Sequence, residues 1–306
     1  MIVNDLVKKT SFILEINPGY GYVTDELLEN KVPYIHLYET EPNYIESLKL
    51  LSKKYPDRIS IRPYNLLTLS KIEYKDRIKK SEQMDVIFQG AIKKSWNDEP
   101  SMHIIGAVPS MKFFYYLRNS ILSQYLSNYG RISLYLAILP SMSMIFNESA
   151  EQTTRLNANA TFFRTFFDCE MLGSLPRCAF SPMPSDRANK KNKKYREDMD
   201  TMNVVKLIPK SDFFNAHFSR RDAELFHHFL AIHLKRADIR IIPALEKWIP
   251  DCGPRLIKLN FHIFTKFSEL SPTEMLNLFK TFQSWPEYKT SVFSDIIEDI
   301  MERRLD

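Results

Sequence analysis

The stretch FILEINPGYGYVTDELL, residues 12–28, decides the fold. FILEI (12–16) is a short apolar run of buried-strand type. Asn17-Pro18-Gly19-Tyr20-Gly21 follows as a turn, and YVTDELLEN (22–30) has helical spacing. Glycine is scarce, seven residues in 306, and two of them fall in this one strand-to-helix turn. Glycine there lets a backbone approach a ligand and supplies angles that other residues resist. Glu15 sits at the strand end and can pair with a cationic group. Glu39 ends the next strand, PYIHLY (33–38), 24 residues further on. In a doubly wound sheet an acid at that place accepts hydrogen bonds from ribose hydroxyls. The residues therefore fit a nucleoside-bearing ligand. A tight turn flanked by solvated acids is the alternative, less favoured by the spacing but left open by it.

Outward from this turn the pattern alternates. PNYIESLKLLSKKY (42–55) is helical, and RISIR (58–62), DVIFQ (85–89) and HIIGA (103–107) are strand-like. MKFFYYLRNSILSQYLSNYG (111–130) reads as one amphipathic helix closed by Gly130, and RISLYLAILP (131–140) as a long strand. Residues 141–170 read as helical, with MLGSLPRCAF (171–180) and MNVVKLI (202–208) as strands around a polar loop, SDRANKKNKKYRED (185–198). From about 212 the pattern is helical, punctuated by proline and glycine. The expectation is an α/β domain with a mostly parallel sheet over 1–210 and a helical domain over 211–306.

Composition narrows the function classes. The net charge of +5 is mildly basic and compatible with a nucleic-acid partner. Cys169, Cys178 and Cys252 are too few and too scattered for a disulfide framework. None forms a CxxC pair, so structural zinc is not expected. No apolar run reaches the length of a membrane span. The first residues show neither a secretory signal nor an Arg- and Ser-rich leader.

LEINPGYG followed by LYETE resembles the S-adenosylmethionine (SAM) site of the ribosomal RNA adenine dimethyltransferases. The resemblance continues through HIIGAVPSMKFFYYL, GRISLYLAILP and ALEKWIPDCGPRLIKLNFHIFTKFSELSPTEMLNLFKTF. Asn-Pro-Gly in the turn and Val-Pro-Ser after HIIGA are similar to a divergent mitochondrial branch of that family. The resemblance implies a SAM-methyltransferase Rossmann-like sheet with a small helical C-terminal domain. It implies that Glu15, Asn17, Gly19, Gly21, Glu39 and Asn65 line the cofactor pocket. At Asn65, in RPYNLLTL, the family usually has an acid that holds the cofactor adenine. Asparagine keeps an acceptor in its amide oxygen, so a weakened pocket is expected.

In active members an Asn-(Leu/Ile)-Pro-(Tyr/Phe) motif ends the central strand. Its asparagine orients the target adenine amine and its ring stacks on the extruded base. Here the residues after Gly106 are Ala107, Val108, Pro109 and Ser110, and only the proline is retained. Stacking is worth ~1–3 kcal/mol, and an orienting hydrogen bond in the transition state ~2.7–4 kcal/mol. At ~1.36 kcal/mol per decade the two losses cost roughly three to five decades of rate. No catalytic residue is therefore assigned.

The mitochondrial branch implies a role in transcription: joining the single-subunit mitochondrial RNA polymerase and helping it melt promoter DNA, with ribosomal RNA as the ancestral partner. Arg187, Lys190, Lys191, Lys193, Lys194 and Arg196 place six cations within ten residues and are the candidate nucleic-acid contacts. A solvated loop accounts for them equally. Phe162, Phe163, Phe166 and Phe167 are expected in a core, and His227, His228 and His233 as packing or surface residues.

Overall fold

The computed structural model describes residues 2–7, 12–122, 126–146, 157–180 and 200–302. The described chain divides into two compact units, Met1–Met144 with Phe167–Phe214, and Ile145–Phe166 with Asn215–Asp306.

The first unit is built on seven strands: β1 (Phe12–Ile16), β2 (Ile35–Tyr38), β3 (Ile59–Arg62), β4 (Met102–Val108), β5 (Ile132–Ile138), β6 (Phe167–Pro176) and β7 (Thr201–Pro209). Their order is β3-β2-β1-β4-β5-β7-β6. The first five are parallel, and β7 runs antiparallel to both β5 and β6. The order reverses between β1 and β4, so the crevice outside their carboxyl ends is the switch point where such sheets bind ligands. β1 is buried along its whole length and β5 likewise, as expected of parallel strands covered on both faces. Ile13, Leu27, Leu28, Val32, Ile35, Leu37, Leu48 and Ile105 join in one core cluster. Leu27 and Leu28 come from the helix Tyr22–Glu29, and Leu48 from the helix Pro42–Lys54, which begins on a proline.

Three segments differ from the expected pattern. DVIFQ is not a strand: a helix spans Gln83–Ile87 and a turn follows. A five-residue apolar run does not distinguish the two states. Here Asp76 Oδ2 accepts from Met84 N at 2.7 Å at the start of the helix. At its end the Arg62 guanidinium donates to the carbonyls of Val86, Ile87 and Gln89. These partners replace the neighbour that a strand would need. The helix from 111 is described as far as Leu122, and Leu126–Asn128, expected to continue it, form a 3-10 turn before Gly130, at φ 76°. Helix 158–166 gives way to β6 at Phe167, four residues earlier than expected, with an irregularity between Met171 and Gly173.

The second unit is helical. Its helices include Ala158–Phe166, Arg220–His233, Pro272–Ser284 and Val292–Glu302. Ser219 with Asp222, and Ser271 with Glu274, form reciprocal capping boxes that satisfy the first free amides of two of them. Its core is aromatic: the Phe229 ring lies 5.3 Å from Phe279, 5.8 Å from Phe267 and 6.0 Å from Phe293. Phe162, Phe163 and Phe166 are buried here, whereas Phe167 is buried in β6 of the first unit.

Candidate functional site

The carboxyl ends of β1, β2 and β3 lie side by side, with Ile16 opposite Tyr38 and Tyr38 opposite Arg62. Asn17 leaves β1 at φ 52°, a left-handed conformation that asparagine tolerates, and its N–H donates to Tyr38 O at 3.1 Å. Gly21, at φ 83°, turns the chain into the helix Tyr22–Glu29. A Cβ on Gly21 would stand 2.9 Å from Cδ2 of both Leu48 and Leu51, so the turn packs directly on the next helix.

Glu39 joins the two loops. Its Oε2 accepts from Gly19 N at 3.3 Å, and its Oε1 from Thr40 N at 2.8 Å and Glu41 N at 3.0 Å. A carboxylate has about four lone-pair sites. Three are engaged, which leaves Oε2 able to accept one more donor, such as a ribose hydroxyl. Glu15 stands differently. It is 2% exposed, and its Oε2 accepts from Thr24 Oγ1 at 2.6 Å. Burial pushes its pKa up to about 7, and the Thr24 hydroxyl offsets part of that rise. Glu15 thus lies beneath the turn, tied to the helix that follows it.

Asn65 follows β3 by three residues. Its Oδ1 accepts from Leu67 N at 2.9 Å and caps the 3-10 turn Leu66–Thr68. The amide oxygen, the acceptor expected to replace the family's acid, is therefore directed onto the backbone.

On the other side of β1, Gly106 pairs with Ile16. Gly106 adopts φ 147°, and a Cβ there would fall 2.3 Å from Ile16 O, so β1 and β4 approach as only glycine permits. Ala107 and Val108 complete β4, and Val108 is fully buried. Pro109 is exposed, and Ser110 Oγ accepts from Lys112 N at 3.3 Å, opening the helix Met111–Leu122. These four positions offer neither an amide nor a ring to a base.

The structure thus brings Gly19 to Glu39 and sets residues 106–110 beside the end of β1. Arg187, Lys190, Lys191, Lys193, Lys194 and Arg196 lie outside the described residues. Three tyrosines at the turn went unremarked in the sequence. Tyr20 and Tyr22 are 46% and 78% exposed, and the Tyr20 ring lies 4.9 Å from Tyr44 in a T-shaped pair. The alternation Gly-Tyr-Gly-Tyr was the available signal, because exposed aromatic rings in a glycine turn are unusual. Of the histidines, His227 Nε2 lies 3.1 Å from Asn159 Oδ1, and His233 is stacked on Phe267 at 4.3 Å. Among the described residues no three His, Cys, Asp or Glu side chains are placed to hold a metal, and no helix is long and apolar enough to cross a membrane.

No family model matches the chain. It is 26% identical to "Dimethyladenosine transferase 2, mitochondrial" of Drosophila melanogaster, over 94% of this chain and 74% of that protein. The Bos taurus protein of the same name is 20% identical over 90% of this chain and 72% of its own length. "Dimethyladenosine transferase 1, mitochondrial" of Homo sapiens is 23% identical over 57% of this chain, and the match spans about half of that relative, 48%. Among solved structures the crystal structure of 23S rRNA methyltransferase ErmE superposes with a TM-score of 0.55 at 15% identity, covering 92% of this chain and 96% of that one. At that identity it shows a shared fold.

Proposed function

From a chain that resembles the mitochondrial dimethyladenosine transferase 2 proteins along nearly its whole length, on a methyltransferase scaffold, we propose a mitochondrial transcription initiation factor of the transcription factor B type. It joins the single-subunit mitochondrial RNA polymerase and assists promoter melting, while its nucleoside pocket is a vestige of methyl transfer. The observation that carries this reading is the end of β4. A methyl side chain at Ala107 and a helix-capping hydroxyl at Ser110 stand where base chemistry requires an amide and a ring.

The physical role left to such a fold is binding. A protein that prefers single strands to duplex shifts melting by that difference in affinity alone. Arg187, Lys190, Lys191, Lys193, Lys194 and Arg196 supply phosphate contacts whose strength falls with salt. The pocket would hold SAM by its glycine turn and by the remaining lone pair on Glu39. At the base end Asn65 Oδ1 already accepts from Leu67 N and keeps one lone pair for an adenine amine, a weaker partner than a carboxylate.

Initiation is measured with mitochondrial RNA polymerase on duplex and pre-melted promoter templates. The protein should raise specific initiation on the duplex and have much less effect on the melted template. No stimulation of the duplex would reject the reading. The names of the relatives and the Gly19–Glu39 junction favour a second reading, a SAM-dependent N6-dimethyltransferase of the small-subunit ribosomal RNA. Robust dimethylation of that RNA by the unaltered chain would establish it. A chain that bound neither a bubble oligonucleotide at low salt nor the RNA would be a scaffold for proteins alone.

A further inference from the structure

We propose that the tyrosines around the glycine turn form a docking site for an arginine-bearing segment of a partner protein. Tyr20, Tyr22 and Tyr44 make one continuous aromatic surface. The Tyr20 ring is central, with its centroid 6.2 Å from that of Tyr22 and 4.9 Å from that of Tyr44. Tyr20 and Tyr22 are 46% and 78% exposed, and Val23 beside them is 51% exposed. Contiguous rings left in water mark an interaction surface. Tyrosine and arginine are the residues that such surfaces favour over the rest of a protein's exterior.

Charge selects the partner. A carboxylate stands about one helical turn from each outer ring: Glu26 follows Tyr22 by four residues, and Glu41 precedes Tyr44 by three. Both acids are exposed, and among the described residues neither is in an ion pair. Lys54, which joins the two helices, is held by Asp25 at 2.7 Å and Glu29 at 3.0 Å. At about 3.6 residues per turn, Lys49 and Lys53 fall on other sides of their helix from Tyr44. The patch is therefore aromatic and acidic. Ring faces and carboxylates attract the same sign of charge, and both attract cations. Phosphates are repelled, so a nucleic-acid strand does not suit this face. A guanidinium lies flat on a tyrosine ring and turns its N–H fork to a carboxylate, whereas a lysine ammonium has no such plane.

The probe is a fluorescein-labelled octapeptide of alternating arginine and glycine, titrated by anisotropy against the full chain at low salt. A lysine-glycine octapeptide and an oligothymidylate serve as comparisons. The chain should bind the arginine peptide saturably, and more tightly than the lysine peptide. Tyr20→Ala with Tyr22→Ala should weaken that binding roughly five- to thirtyfold, the size of two exposed cation–π contacts. Tyr20→Phe with Tyr22→Phe keeps both ring faces and should bind as the unaltered chain does. Glu26→Gln with Glu41→Gln keeps the size of two exposed side chains, leaves the turn untouched and should weaken binding at least threefold. No saturable binding, equal affinity for the two peptides, or a loss below threefold in both the alanine and the glutamine pair overturns the proposal. An equal loss of oligothymidylate binding in the alanine pair overturns it too, because the rings would then be a base-stacking platform. Displacement of the peptide by S-adenosylhomocysteine has the same force, because the rings would then belong to the nucleoside pocket.

Discussion

Single atoms set the limits at the switch point. A carboxyl as enclosed as Glu15 holds its proton well above the ordinary range, with its pKa near 7 against 4.5 when free. The folded state therefore binds more protons than the unfolded one between those values. Stability from this group is full below about pH 4.5 and declines as pH rises toward 7, by about 3 kcal/mol in total. Glu15→Gln keeps an acceptor for Thr24 and cannot ionise. Denaturant titrations from pH 5 to 8 should show the variant gaining on the unaltered protein as pH rises. Parallel curves would mean that the carboxylate is better solvated than its burial implies. The two glycines beside it should respond unequally. Gly21→Ala meets the flexible ends of Leu48 and Leu51, which can give way, and costs chiefly the ~1–2 kcal/mol of a left-handed alanine. Gly106→Ala meets the rigid Ile16 carbonyl at 2.3 Å and must part β1 from β4. Urea melts should rank Gly106→Ala well below Gly21→Ala, and equal losses would contradict the close approach of those strands.

At the level of elements, legibility followed burial. β1, β4 and β5 were plain in the sequence because parallel strands covered on both faces are continuous apolar runs. The glycine turn and the place of Glu39 after β2 were plain because two scarce glycines share one strand-to-helix turn and an acid closes the next apolar run. DVIFQ was misread for the same reason that the others succeeded: it too is short and apolar, and its period carries no information. What made it a helix lies far away in sequence, in Asp76 and Arg62. Arg62 donates to three carbonyls around 86–89, and Nη2 reaches Gln89 O at 2.9 Å. The guanidinium spreads these donors over two nitrogens held in a fixed fork, a reach that a single ammonium does not reproduce. Arg62→Lys retains the charge and loses the fork, so residues 83–90 should loosen by about 1–3 kcal/mol while the sheet persists. Amide exchange should rise in that segment and stay slow in β1. Uniform protection in the variant would show that the helix stands on its own caps.

For the whole molecule, what sequence could not convey is how each unit accommodates its buried titratable groups. The helical periodicity of RRDAELFHHFLAIH was evident, but which of its histidines is enclosed depends on rings from distant helices. His233 is 2% exposed, stacked on Phe267 at 4.3 Å and 4.5 Å from the Phe229 ring. Its Nε2 is buried without a hydrogen-bond partner among the described residues. Burial pulls its pKa down from 6.5 to about 3. The unfolded chain takes up this proton first, so the second unit loses stability as pH falls below 6.5, and the loss ends only near pH 3. Glu15 in the first unit responds in the opposite direction, weakening as pH rises. The two units therefore need not melt together, and a single midpoint would average two transitions. His233→Leu removes the titration and keeps an apolar side chain in the aromatic core. At pH 4.5 it should lift the second unit by about 2–3 kcal/mol relative to its effect at pH 7.5. Amide exchange in Arg220–His233 at the two pH values reports this directly. An equal change at both values would show that the imidazole already carries a proton in the folded unit, which its burial without a hydrogen-bond partner for Nε2 opposes.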